Sequence, residues 1–324
     1  MTKAIRIHEA GGPETLKWED VDIPAPGAGE VTLNQTACGL NFIDIYQRSG
    51  LYPVKTYPQT MGMEAVGIVD EVGEGVEHLK SGDRVAYCMV LGGYAERRVA
   101  PATKLVKVPD TIDDQTAAAM MLKGLTAHYL SHRTYPIKPG DTVLVYAAAG
   151  GVGLILCQWA KHMGATVIGC VGSQEKAELA RANGCDHPIL YRDEDIVAQV
   201  RDITDGAGVQ AAYDSVGKDT FDASIDSLAP LGILASFGAS SGPVAPFNPG
   251  MLARKGSLYF TRPTLATHTA TRGLLEEGAN DLFNAIADGH VKFTINQTYD
   301  LADTEQAHRD LEGRKTTGCT VLLP

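Results

Sequence analysis

The segment Tyr146-Ala147-Ala148-Ala149-Gly150-Gly151-Val152-Gly153 constrains this chain more than any other. It follows a short apolar run, Asp141–Tyr146, of the kind buried in a parallel sheet. A helix-like stretch, Leu154–His162, comes next. Strand, glycine-rich turn and helix in that order fit the dinucleotide fingerprint, with Ala148 in place of the first glycine and Gly150 and Gly153 kept. Such a turn must be tight, bring bare backbone close to a pyrophosphate and pack the helix closely on the strand. The start of the helix then offers N–H groups and a positive dipole to the anion.

The pattern continues as strand and helix by turns. Thr166–Val171 reads as a strand and Gln174–Ala182 as a helix, and further strands are expected at Ile189–Tyr191, Val209–Ser215, Ile233–Phe237 and Ser257–Phe260. This alternation predicts an α/β fold with a doubly wound parallel sheet over residues 124–262. Residues 1–123 instead read mainly as β. Short apolar runs (Val31–Leu33, Ala65–Val72, Arg84–Tyr87) are punctuated by turns at Gly73-Glu74-Gly75 and Lys80-Ser81-Gly82-Asp83, which suggests a barrel-like or sandwich-like unit. Residues 263–324, with a helix around Thr271–Ala287, are expected to complete that first unit. Two domains also suit 324 residues, because single cores stop growing near roughly 250–300.

Composition narrows the partners. With 39 acidic and 28 basic side chains the net charge is −11, which argues against a nucleic-acid partner. No apolar stretch reaches the roughly 18 residues a membrane span requires. The six cysteines (Cys38, Cys88, Cys157, Cys170, Cys185, Cys319) stand singly, a pattern of reduced thiols that fits a cytoplasmic protein.

The end of the second strand of the parallel sheet indicates which dinucleotide is taken. An acid there would accept hydrogen bonds from a ribose 2′-hydroxyl. This chain has Val171-Gly172-Ser173-Gln174-Glu175-Lys176. Gly172 and Ser173 leave room for a phosphate, Lys176 can supply charge, and Tyr191-Arg192 can close the same pocket. Glu175, in the first helical turn, is expected to point to solvent. The reading is NADPH.

Several segments together now carry a resemblance: Asn41-Phe42-Ile43-Asp44, Arg48-Ser49-Gly50-Leu51-Tyr52-Pro53, Gly62–Gly67, Leu122-Lys123-Gly124-Leu125-Thr126-Ala127, Ala147–Gly153 and Tyr213-Asp214-Ser215-Val216-Gly217. From end to end the chain resembles the medium-chain dehydrogenase/reductase superfamily, and within it the zinc-independent NADPH:quinone oxidoreductases related to zeta-crystallin. The resemblance implies a GroES-like catalytic domain, a Rossmann-type cofactor domain and a homodimer, for which Ser257–Phe260 is the expected contact strand. Zinc-dependent members hold their metal with Cys, His and Cys. Here Asn41 stands at the first Cys and Met63 at the His, and neither replaces thiolate or imidazole, so no metal is expected. His128 and His132 read as ordinary helix histidines.

Carried over position by position, the resemblance implies cofactor contacts at Asn41, Lys123, Thr126 and Tyr129 on the nicotinamide side. It implies Gly151 and Val152 at the pyrophosphate, and Gly172, Ser173, Lys176 and Tyr191 at the 2′-phosphate. Ser215, the stretch from Phe237 to Ser240, Arg262 and Arg314 complete that set. Asn41, Asp44, Tyr46 and Tyr52 border the reacting groups, with either tyrosine a hydrogen-bond donor to the developing oxyanion or a packing residue. The expected function is an NADPH-dependent quinone reductase whose substrate lies where the two domains meet. The close alternative is a reductase of enals, enones or 2-enoyl thioesters. An alternative of another class is a non-catalytic crystallin-like or RNA-binding protein, although no basic run exceeds Arg97-Arg98 or Arg314-Lys315.

Overall fold

In the computed structural model, which describes residues 2–324, the eleven-residue strand Glu30–Leu40 is the hub of the first of two units. It pairs antiparallel with Glu64–Val72, Arg97–Pro101 and Cys319–Leu323, so the C-terminal strand closes onto the N-terminal half of the chain. Seven strands make this sheet, and a smaller one joins Lys17–Val21, Thr2–Ile7 and Gln59–Thr60. Val31 and Leu33, and past a register shift Cys38 and Leu40, enter a core with Ile5, Tyr87, Tyr94 and Leu105. This unit takes in the chain up to Leu125, then Thr269–Phe283 and Phe293–Pro324.

Two α-helices interrupt the first segment, which was expected to be mainly β. Phe42–Arg48 begins at a capping box in which the Asn41 N–H donates to Asp44 Oδ2 at 2.8 Å. Asp114–Tyr129 has no amphipathic period to betray it, because Ala117–Met121 and Lys123–Leu130 are all buried. Its start is fixed by Asp113, which accepts from the Thr116 backbone N–H at 2.9 Å.

The second unit, Thr126–His268 with Asn284–Lys292, is built on a six-stranded parallel sheet. Across the sheet the strands run His187–Leu190, Thr166–Val171, Thr142–Tyr146, Val209–Asp214, Leu228–Ser236 and Tyr259–Thr261. Numbered along the chain, that order is the 3-2-1-4-5-6 of a doubly wound dinucleotide fold. Leu144, Ile168, Ile189, Ala212 and Leu234 form the core on this sheet. The edge strand starts two residues later than expected. Ser257, at φ 54°, still returns its N–H to Ala253 of the preceding helix, and Leu258 is buried in the core.

Candidate active site

The turn after Thr142–Tyr146 is as tight as its sequence requires. Ala147 takes a left-handed conformation (φ 50°), and the helix Gly151–His162 starts at Gly150 without a side-chain cap. A Cβ on Gly153 would lie 2.2 Å from Ala147 O, so only glycine lets the helix sit this close to the turn. Ala148, the departure from the fingerprint, is accommodated by the neighbouring strand. A Cβ on Gly169 would come within 2.7 Å of the Ala148 methyl, and Gly169 has none. The first N–H groups of this helix, at Gly151 and Val152, have no carbonyl one turn back to pair with. An uncapped helix start of this kind suits a pyrophosphate.

At the end of Thr166–Val171 four expected residues come together. Ser173 caps the helix Gln174–Ala182, accepting from the Lys176 N–H at 3.3 Å. The Tyr191 N–H bonds Val171 O, and its ring lies over Gly172, where a Cβ would meet the hydroxyl at 3.0 Å. Ser173, Glu175, Tyr191 and Arg192 are exposed and Lys176 half-buried. Such a corner, hydroxyl-bearing and edged with cations, can hold a phosphate monoester.

The next two strand ends are tied to each other through Asp214. This buried carboxylate accepts from the N–H groups of Val216 (2.7 Å) and Gly217 (3.0 Å) and from the hydroxyls of Thr220 and Ser224. It thereby shapes the loop that carries Ser215, whose carbonyl receives the Ser240 N–H at 3.2 Å. Phe237 is half-buried beside this loop and Ser240 exposed. Arg262 donates to Ser236 O at 2.9 Å and lines a cavity of about 420 Å³ with Thr264, Thr267 and His268. The Tyr129 ring stacks on His268 at 4.4 Å; burial pushes that phenol up and pulls the imidazole down. His128 and His132 stack on each other, with Trp159 tilted against the first and edge-on to the second.

In the first unit a buried polar cluster joins three elements. Asn41 Nδ2 donates to Glu64 Oε2 at 2.8 Å, Lys123 Nζ approaches the same oxygen at 3.4 Å, and the Leu122 N–H donates to Oε1 at 2.7 Å. Asp44, also buried, accepts from Asn41 N–H and from the Tyr94 hydroxyl. Lys123, Thr126 and Tyr129 follow one another at three-residue spacing along the helix Asp114–Tyr129, all buried. Tyr46 is buried between Phe42 (5.8 Å) and Tyr52 (5.2 Å, edge-on), and Tyr52 is exposed. Arg314 is exposed beyond the helix Thr304–Glu312, with φ 57°.

The geometry therefore offers a dinucleotide cradle in one unit and a buried acid–amide–ammonium cluster in the other. Both units have counterparts among known proteins. Residues 27–110 match the alcohol dehydrogenase GroES-like domain, and residues 151–279 match the zinc-binding dehydrogenase family. The chain is 49% identical over 325 residues, the whole of both chains, to the quinone oxidoreductase of Pseudomonas aeruginosa. The chain belongs to the quinone oxidoreductases of the medium-chain dehydrogenase/reductase superfamily. The structure of the Escherichia coli quinone oxidoreductase in complex with NADPH superposes with a TM-score of 0.97 at 46% identity, covering 99% of this chain and 100% of that one. A 2-haloacrylate reductase of a Burkholderia species is 45% identical over 331 residues, covering 100% and 99%.

Within this family two residues missed by sequence reasoning stand out. Glu64 was visible only as part of the Gly62–Gly67 motif, and Tyr94 carried no local signal, since its partner Asp44 lies fifty residues away. Asn41 and Met63, expected at the zinc-ligand positions of metal-dependent relatives, have other partners here. Asn41 serves Glu64, and Met63 Sδ accepts from Gln47 Nε2 at 3.2 Å. Among the described residues no three His, Cys, Asp or Glu side chains gather to hold a metal ion. Among them, too, no helix is long and apolar enough to cross a membrane.

Proposed function

We propose that this chain is an NADPH-dependent, metal-independent reductase of quinones. The observation that carries the cofactor assignment is the corner formed by Gly172, Ser173, Lys176 and Tyr191, where the glycine lets the Tyr191 hydroxyl close in and where hydroxyls and charge can meet a 2′-phosphate. The quinone assignment draws on the quinone oxidoreductases of P. aeruginosa and E. coli.

When bound, the reduced nicotinamide supplies a hydride. The chain's own residues do the rest. Gly151 and Val152 bind the pyrophosphate, while Lys176, Ser173 and Tyr191 hold the 2′-phosphate. Ser215, Phe237, Ser240 and Arg262 line the path of the dinucleotide along the strand ends. Thr126 and Tyr129 meet its nicotinamide side together with Asn41 and Lys123. Tyr46 and Tyr52 stand beside the acceptor, and their hydroxyls stabilise charge growing on its oxygen. Thioether and carboxamide at Met63 and Asn41 are poor zinc ligands, so acceptors that are already electron-poor suit this chain. The balance is one hydride and one proton taken up per quinone, yielding hydroquinone and NADP⁺.

The relationship to a 2-haloacrylate reductase favours activated alkenes as a second substrate class. NADPH oxidation measured against a panel of quinones, enals and 2-haloacrylates separates the two. Quinones should be turned over with the highest kcat/KM, and a panel in which only the alkenes react would reverse the order. Chelation should leave the rate unchanged. The same reading makes the protein a cytoplasmic homodimer, its six buried thiols reduced and its exposed edge Tyr259–Thr261 paired with a second copy.

A further inference from the structure

We infer that Glu64 is a positioning residue, one that aims the Lys123 ammonium and the Asn41 carboxamide at the nicotinamide side of the cofactor. The inference rests on the reading of Asn41 and Lys123 as cofactor contacts given above.

Glu64 is fully buried, and both its oxygens are used. Oε1 takes the backbone N–H of Leu122, one residue before Lys123 in the helix Asp114–Tyr129, and so fixes that turn of the helix. Oε2 faces Asn41 Nδ2 at 2.8 Å and Lys123 Nζ at 3.4 Å. One carboxylate thus links the strand it opens, Glu64–Val72, with the helix bearing Lys123 and the cap of Phe42–Arg48.

Three features show that this carboxylate orients its partners and does more than fill space. An asparagine turned the other way would set its carbonyl oxygen against a carboxylate, so Glu64, with the Gly39 carbonyl at 3.3 Å beside it, holds the rotamer in which Nδ2 faces it. Lys123 is equally confined. Its ammonium is buried, and a buried cation without a counter-charge is costly, so the chain end stays near Oε2 and is not free to snorkel to water. The backbone also makes way for the carboxylate. A Cβ on Gly39 would fall 2.4 Å from Glu64 Oε2 and 2.2 Å from Ala118 O. Glycine at 39 is therefore required by the approach of the carboxylate and of the helix carrying Lys123.

The test compares two ligands on the intact protein: NADPH, and adenosine 2′,5′-bisphosphate, which has the 2′-phosphate but no nicotinamide riboside. In Glu64→Gln, similar in size to the parent, the Kd for NADPH should rise about tenfold, the scale of one charge-assisted hydrogen bond, with that for the bisphosphate within about twofold. Glu64→Asp keeps the counter-charge for Lys123 but withdraws it by one methylene. It should show the same selective loss in smaller measure. In a Lys123→Ala background, Glu64→Gln should add less than in the parent, because only the part that passes through the Asn41 carboxamide remains. Equal weakening of both ligands, or an unchanged Kd for NADPH in Glu64→Gln when Lys123→Ala or Asn41→Ala raises it, would overturn the inference. If Lys123→Ala and Asn41→Ala themselves leave NADPH binding intact, the cofactor-contact reading fails first and the positioning role falls with it.

Discussion

Tyr94 donates its phenolic hydrogen to Asp44 Oδ2 at 2.7 Å, with both side chains buried in the first unit. The other edge of Tyr94's surroundings is His308, whose ring stands perpendicular to it at 6.0 Å and whose Nδ1 faces the Arg48 guanidinium at 3.2 Å. Burial pushes Asp44 up to about 7, although the Tyr94 hydroxyl and the Asn41 N–H oppose the rise. Burial, reinforced by the Arg48 charge, pulls His308 down to about 3.

These two groups give opposite pH dependences. Stability contributed by Asp44 is fully present below its ordinary value of 3.8 and is lost as pH rises through about 7. Stability contributed by His308 is present above its ordinary 6.5 and is lost as pH falls towards 3. Between about pH 4 and 6.5 each has a slope of about 1.4 kcal/mol per pH unit, and the two nearly cancel. Relative to the parent, Asp44→Asn should therefore gain stability as pH rises through this window, and His308→Gln should lose it. Urea titrations from pH 4 to 7 would read both slopes. Variant curves running parallel to the parent would refute the assignment.

Gly153 is the position where the cradle tolerates least. Gly153→Ala places a methyl 2.2 Å from Ala147 O and 2.8 Å from Ala148 Cα, both backbone atoms that cannot swing away. Overpacking of this kind costs about 1–3 kcal/mol, and here it pushes the helix start off the turn. Thermal unfolding should shift down, and NADPH affinity should fall further than the stability change explains. A variant that binds NADPH as the parent does would mean the turn is not the pyrophosphate site.

How much of this was legible in the sequence depended on whether the signal was local. Thr166–Val171 and Gln174–Ala182 match their expected ends residue for residue, because a β-branched run and a serine cap mark them. The helix Asp114–Tyr129 was not legible, since a helix buried all round has no polar face to give it a period. Within the candidate site, Gly172, Ser173 and Lys176 lie in one short segment and their grouping could be read directly. Glu64, Tyr94 and Lys123 converge from three distant elements, and only the fold brings the Glu64 carboxylate to the Asn41 amide.

The tyrosine pair offers a graded test of oxyanion stabilisation. Tyr46 is held by Phe42 and Tyr52, so Tyr46→Phe should keep the packing and remove only a hydroxyl. The double variant Tyr46→Phe with Tyr52→Phe should lower kcat about tenfold to a hundredfold on the poorest quinone acceptors, less on good ones, with the Kd for NADPH unchanged. Parent rates on every acceptor would make both tyrosines packing residues.

The edge strand bears on assembly. Tyr259 is 60% exposed on Tyr259–Thr261, the last strand of the parallel sheet. A charge there opposes pairing of two edges, so Tyr259→Lys should shift a sedimenting dimer towards monomer at micromolar concentration while the fold persists. A parent that sediments as a monomer would contradict the homodimer, and a variant that remains dimeric would move the contact to another surface.

Lys176 gives the most direct measurement of NADPH as the hydride source. Steady-state reduction of a good quinone should be compared with NADPH and with NADH, in the parent and in Lys176→Ala. The parent should prefer NADPH, and the substitution should raise KM for NADPH about tenfold to a hundredfold, the worth of one charge-assisted hydrogen bond, with little change for NADH. A parent that prefers NADH, or a substitution that weakens both cofactors equally, would contradict it.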